Sequence, residues 1–299
     1  MRITVGSRQS RLAVRQAQIV MEELEKHHPE AEVSLVTMKT TGDRILHKTL
    51  DQIGGKGLFI KELDLALQEG RIDLAVHSLK DMPMEVPEDF PVLACTRRED
   101  PRDVLVLRKG LDRLEKDSVI GCSSLRRKLQ LGSLYPEAEI RNIRGNVLTR
   151  LEKLDAGEYD ALVLAAAGLI RLGLEERISR FFSVEEILPS AGQGIMAVQG
   201  SPSMREVTAC VNDREAALAA GAERAFVREL EGGCSSPVAA FAQVEGDTCR
   251  LRGLYYDEGS GGYSIGEKTF YIEENDPAQG ARMGRELAHE LRDRYTEKR

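Results

Sequence analysis

Ile3-Thr4-Val5-Gly6-Ser7-Arg8-Gln9-Ser10-Arg11-Leu12 is the stretch on which the fold turns. Ile3–Val5 reads as a strand, Gly6 to Ser10 as a loop, and Arg11–Glu25 as an amphipathic helix with apolar residues at helical spacing. The same alternation continues outward. Val33–Met38 reads as a strand, Phe59–Gln68 as a helix, and Leu74–His77 and Val92–Cys95 as further strands. Glu99-Asp100-Pro101-Arg102-Asp103 breaks the pattern and reads as a crossing between domains. A second set follows: strands at Asp103–Leu107, Val119–Cys122, Ile140–Asn142 and Ala161–Ala165, with helices at Leu125–Leu134 and Val147–Asp155. Strands and helices in alternation predict two α/β domains, each with a mostly parallel sheet, and a cleft between them. The last part differs. Asp213–Leu230 reads as a helix, Val238–Val244, Arg250–Tyr255 and Thr269–Ile272 as strands, and Ala278–Tyr295 as a closing helix, which predicts a small α+β domain with an antiparallel sheet. Gly259-Ser260-Gly261-Gly262 fits a surface turn within it.

The length, 299 residues, allows two or three domains, and 41% hydrophobic with 30% charged residues suits a globular chain. The longest apolar run, Ala161 to Ile170, is too short to cross a membrane. The first residues read as a strand and lack the apolar core of a signal peptide, so a cytoplasmic location is expected. Five scattered cysteines, odd in number and without a Cys-x-x-Cys pair, argue against a disulfide framework or a structural zinc site. The five histidines show no metal-ligand spacing. A net charge of −7 argues against a nucleic-acid partner. Yet residues 122–150 carry a net +4, from five arginines and Lys128 against Glu137 and Glu139. A local basic patch on an acidic chain points to a bounded polyanionic ligand.

The residues that could bind such a ligand fall at strand ends. Ser123-Ser124-Leu125-Arg126-Arg127 follows a strand and opens a helix. Backbone N–H groups there favour anions, and arginine forks bind carboxylates in bidentate geometry. Arg141-Asn142-Ile143-Arg144-Gly145-Asn146 repeats the arrangement one strand later. A solvated basic face is the competing reading for either group alone. Gly6 to Ser10 and Ser78-Leu79-Lys80-Asp81-Met82-Pro83 offer matching loops in the first domain. Asp81, beside Lys80, would stay ionised and could hold an N–H or stabilise a developing cation; a plain turn aspartate is the alternative. Gly54-Gly55-Lys56-Gly57-Leu58-Phe59 lacks the spacing of a phosphate-binding loop and is expected to be a mobile loop over the cleft. Arg228-Glu229-Leu230-Glu231-Gly232-Gly233-Cys234-Ser235-Ser236-Pro237 ends a helix at a double glycine and places a thiol on the following turn, where a bulky group could be attached. A small buried hydrophobe is the commoner fate of a lone cysteine.

Together these segments resemble the porphobilinogen deaminase (hydroxymethylbilane synthase) family from Arg2 to about Pro237. The marks are Gly54–Leu58, His77–Pro83, Arg98–Asp103, Ser123–Arg127, Arg144-Gly145-Asn146 with Thr149-Arg150, Leu164–Leu169 and Glu231–Cys234. The resemblance implies an α/β protein with two periplasmic-binding-protein-like α/β domains and a small α+β C-terminal domain with an antiparallel sheet. It divides the chain into residues 1–98 with 190–210, residues 99–189, and residues 211–299. It implies a monomer carrying a dipyrromethane cofactor joined by a thioether to Cys234. Four porphobilinogen molecules would be added head to tail, with loss of ammonia, and water would release hydroxymethylbilane. Each pyrrole carries an acetate and a propionate. Arg8, Arg126, Arg127, Arg144, Arg150 and Arg171 correspond to the family's anion-binding arginines; Ser10, Ser78, Lys80, Ser124 and Gln193 would add hydrogen bonds. Gly145 is placed with the cofactor-binding residues, and Gln16, Lys56 and Phe59 with the substrate-binding ones. Asp81 would hold pyrrole N–H groups and stabilise the electron-poor azafulvene left by ammonia. No metal or nucleotide is required.

This chain departs from the family pattern at Cys122, where many relatives have threonine, at Ser235-Ser236 after the anchoring cysteine, and at Arg11, where proline is common. Two other readings of the residues stand beside the resemblance. A two-lobed anion-binding protein explains the arginines but gives Cys234 no task. A phosphate-substrate transferase lacks both a metal-binding carboxylate cluster and a true phosphate-binding loop.

Overall fold

The computed structural model describes residues 1–40, 60–232, 236–273 and 276–297. The first sheet is built from β1 (Arg2–Arg8), α1 (Arg11–His27), β2 (Glu32–Met38), α2 (Lys61–Gln68), β3 (Leu74–Ser78) and β4 (Val92–Cys95). The chain then crosses to a second sheet: β5 (Asp103–Leu107), β6 (Val119–Gly121), α3 (Leu125–Leu134), β7 (Glu139–Arg141), α4 (Val147–Asp155), β8 (Ala161–Ala165), α5 (Ala166–Arg171) and β9 (Arg180–Phe181). It returns as β10 (Met196–Gly200) and α6 (Arg205–Thr208), and ends in α7 (Arg214–Glu229), β11 (Ala239–Glu245), β12 (Thr248–Asp257), β13 (Gly262–Tyr271) and α8 (Pro277–Glu297).

Local chemistry sets where the helices begin. Ser10 caps α1 by accepting from the Ala13 N–H at 3.3 Å. Ala13, Gln16, Ala17, Val20 and Leu24 then form one buried stripe against β1 and β3. Ser124, Asn146 and Asp213 cap α3, α4 and α7 in the same way.

The two large sheets are mixed rather than mostly parallel. Their orders are β2-β1-β3-β10-β4 and β7-β6-β8-β5-β9. In the first, β1 is parallel to β2 and β3, whereas β10 is antiparallel to β3 and β4. In the second, β6 is parallel to β7 and β8, whereas β5 is antiparallel to β8 and β9. The cause is the connection. Each sheet receives one strand directly from the other, and that strand runs against the direction of its neighbours.

The two crossings run side by side. Glu99 N–H donates to the Gly194 carbonyl at 3.0 Å, and Thr96 N–H to that of Met196 at 3.0 Å. A Cβ on Gly194 would lie 2.3 Å from the Glu99 carbonyl oxygen, so this approach requires glycine. Glu223 on α7, fully buried, ties the third domain to the crossings. Its carboxylate accepts from Arg98, Gly192 N–H and Ala242 N–H, each at 2.7 Å. Burial raises its pKa, and these donors offset only part of that rise.

The third domain is the expected α+β unit, an antiparallel sheet β11-β12-β13 with α7 and α8 packed together on it. The Asp257-to-Gly262 connection is the predicted turn. The helices touch backbone to backbone. A Cβ at Gly284 would lie 2.1 Å from the Ala222 carbonyl oxygen and 2.8 Å from the Phe226 nitrogen. Gly→Ala in a helix ordinarily stabilises by about 1 kcal/mol. Here Gly284→Ala is expected to lower stability by about 2 kcal/mol through overpacking, read as a lower urea midpoint; an unchanged or higher midpoint would refute the close packing.

Candidate functional site

Asp103, the first residue of β5, is fully buried. Its carboxylate accepts from Arg126 at 2.7 Å, from Arg127 at 2.7 and 3.0 Å, and from the Gln193 amide at 3.0 Å. Arg126 and Arg127 lie in the first turn of α3, held there by the Ser124 cap. They are 4% and 7% exposed, which rules out a solvated face for this group. Arg126 also donates to the Leu188 carbonyl at 2.6 Å and Arg127 to that of Val163 at 3.1 Å. Burial alone would raise the Asp103 pKa; the two guanidiniums outweigh it and hold the carboxyl well below the usual range.

One carboxylate does not balance the cations gathered here. Lys80, at the end of β3, donates to Gln193 at 3.3 Å and so joins the Asp103 network from the first domain. Its pKa is lowered to about 8, first by loss of solvent and then by Arg127. Arg150 on α4 is lowered to about 10 by burial, then by Arg127, with Arg144 adding to the repulsion. Arg150 donates to the Gly145 carbonyl at 2.8 Å, and the Arg144 Nε is buried without a hydrogen-bond partner among the described residues. Gly145 has φ +120°, and a Cβ there would press on Thr149 at 2.8 Å, so the Arg144-Gly145 turn depends on glycine. Asp81 is exposed on the short turn Leu79–Asp81. Its charge acts on Lys80, Arg127 and Arg150, which places it beside this cluster.

The structure therefore brings together Lys80, Asp81, Arg126, Arg127, Arg144, Gly145, Arg150 and Gln193. Arg8 approaches from the end of β1: with burial the dominant cause, its charge helps lower the His77 pKa to about 4, while Asp81 opposes the shift. Arg171 ends α5 and reaches the return crossing, donating to the Gly194 carbonyl at 2.6 Å. Three hydroxyls expected to serve a ligand have partners inside the chain. Ser10 and Ser124 cap helices, and Ser78 pairs with Gln16 at 2.9 Å. Lys56, Phe59 and Cys234 lie outside the described residues. Cys122 is buried in the core beside Leu105, Ile120 and Leu131, next to the arginine cluster. Sequence alone places Asp103 in the crossing, at a strand start and in a family mark but gives it no role in the site; an acid opening an apolar strand directly after a Pro-containing crossing is the available signal.

Comparison with known proteins agrees along the chain. Residues 3–209 match the family model "Porphobilinogen deaminase, dipyromethane cofactor binding domain", and residues 217–293 match "Porphobilinogen deaminase, C-terminal domain". A porphobilinogen deaminase of Acetivibrio thermocellus is 53% identical over 292 residues, 97% of this chain and 98% of that protein. One of Alkaliphilus oremlandii is 53% identical over 293 residues, 98% of this chain and 97% of that protein.

Asp103→Asn leaves two buried guanidiniums without a counter-charge. It is expected to cost about 3 kcal/mol, measured by urea unfolding; a loss below about 0.5 kcal/mol, the range of ordinary surface changes, would contradict the network's structural role.

Proposed function

The chain belongs to the porphobilinogen deaminase family, and on that premise we propose that it condenses four porphobilinogen molecules head to tail, with loss of ammonia, and releases hydroxymethylbilane by hydrolysis. The observation that carries the reading is the surplus of positive charge around Asp81. Lys80 and Arg150 are held below their ordinary pKa, and Arg144 keeps a buried N–H without a partner among the described residues. Arriving carboxylates relieve all three conditions, so these residues fit a polycarboxylate. When bound, a dipyrromethane supplies such carboxylates together with the nucleophilic pyrrole carbon at which the product grows.

Cys234 is the proposed anchor for that group. Burial pushes the thiols of Cys95 and Cys249 up to about 11 and raises those of Cys122 and Cys210, which suits structural cysteines better than reactive ones. Lys80, Ser78, Ser124, Arg144 and Gly145 would surround the group. Arg126 and Arg127 act on it partly through their field, since Asp103 and backbone carbonyls already take five of their ten N–H donors. Arg8, Ser10, Gln16, Lys56, Phe59, Arg150, Arg171 and Gln193 are assigned to incoming porphobilinogen.

Asp81 is the catalytic residue in this scheme. Its carboxylate is exposed at the edge of the cation cluster. It would accept the pyrrole N–H hydrogens and face the positive charge that develops on porphobilinogen as ammonia departs. The lowered Lys80 pKa makes that ammonium a group whose charge depends on what binds: nearby carboxylates favour the charged form, and their absence favours proton loss.

We assign residues 1–98 with 190–210 to the first domain, 99–189 to the second and 211–299 to the third. The protein is proposed to act as a cytoplasmic monomer on a small-molecule substrate, without nucleic acid. No described helix is long and apolar enough to cross a membrane. Asp81→Asn keeps size and hydrogen-bonding shape but removes the charge. It is expected to fold normally and to lose about a hundredfold or more in turnover, followed as porphobilinogen consumption; turnover near that of the unaltered protein would remove Asp81 from the mechanism.

A further inference from the structure

A groove of about 450 Å³ lies between α7 and the first domain, away from the Asp103 network. Its floor is one face of α7, where Ala217, Ala220 and Ala225 leave room beside the backbone. Leu93 and Met84 form the opposite wall, and Ala281 of α8 closes one side. From Arg214 to Arg228 the floor runs roughly 21 Å at helical rise. A groove of this volume accommodates a small organic molecule.

The rim is unusual for an acidic chain. Arg205, Arg214, Arg224 and Arg228 line the groove, and no Asp or Glu does. Arg205, Arg214 and Arg228 are exposed, and their side chains make no ion pair or hydrogen bond among the described residues. Arg224 lies deeper and donates to the Pro83 and Met84 carbonyls at 2.6 and 3.1 Å. The exposed guanidiniums of Arg205, Arg214 and Arg228, unpaired among the described residues, favour an anion, and an apolar floor favours an apolar body. Neither feature is used by the condensation chemistry. We propose that this groove is a binding site for an elongated apolar organic anion, of the aryl or acyl carboxylate class. Its body lies along α7 and its carboxylate against Arg214 at one end of the floor or Arg228 at the other. Because Leu79 and Met84 flank Lys80-Asp81 in sequence and line the groove, the occupant touches the segment that carries Asp81.

The test is calorimetric titration of the holoenzyme with 2-naphthoate at low salt. One-to-one binding is expected, weakened about tenfold or more in Arg214→Gln/Arg228→Gln, with porphobilinogen consumption unchanged in that variant. Ala220→Phe, which fills the floor and keeps the arginines, should abolish binding, and neutral 2-naphthalenemethanol should bind more weakly than the carboxylate. The proposal is overturned by absence of binding at millimolar concentration, by equal affinity in the arginine variant, or by displacement of naphthoate by porphobilinogen. Arginine-dependent self-association without naphthoate binding would equally overturn it, by making a second copy of the chain the occupant.

Discussion

The buried Asp103 carboxylate, shared by Arg126, Arg127 and Gln193, is the interaction on which the rest of the site depends. Removing these charges from water costs several kcal/mol per ion, and only close, well-aligned partners recover it. Here the carboxylate accepts four hydrogen bonds from the three side chains. The partners come from the start of β5, the first turn of α3 and the return crossing. A change in the register of any one of them would strand a buried charge. Through Gln193 and Lys80 the same network reaches the first domain, so the loop bearing Asp81 is positioned relative to the second sheet.

Glu223 plays the corresponding part toward the third domain, gathering Arg98 from one crossing, Gly192 from the other and Ala242 from β11. Two buried carboxylates thus fix the junction of three domains. They differ in electrostatic outcome. Asp103 has two close guanidiniums and is held strongly ionised, whereas Glu223 has one, and burial prevails in raising its pKa. Further cations then lie on the Asp103 side, where Lys80, Arg144 and Arg150 gather with Asp81 beside them.

Elements with their own local chemistry were legible in the sequence. The helices capped by Ser10, Ser124, Asn146 and Asp213 begin within a residue of their expected starts, because cap and apolar spacing are both local. The short α5 was not legible: it leaves β8 without a capping side chain, so one apolar run contains both. β10 was missed because glycines bracket it and its strand state comes from pairing with β3 and β4. The antiparallel entry of β5 and β10 depends on how the domains are connected, which periodicity does not encode. Of the arginines at the strand ends, Arg126, Arg127 and Arg144 lie in one cluster whereas Arg141 pairs with Glu139 on the surface, and the partner of the first two was hidden. Asp103 is 23 residues from Arg126 in sequence, and nothing local distinguishes a guanidinium that binds a ligand from one that binds its own chain.

The account's central claim is that a surplus of buried positive charge is matched by carboxylates that the protein itself carries on Cys234. The most direct measurement is the intact mass of the freshly prepared, denatured protein, compared with Cys234→Ala. The account predicts an excess equal to two linked pyrrole units on the unaltered chain and none on the variant. A bare mass that cannot be raised by incubation with porphobilinogen would contradict it.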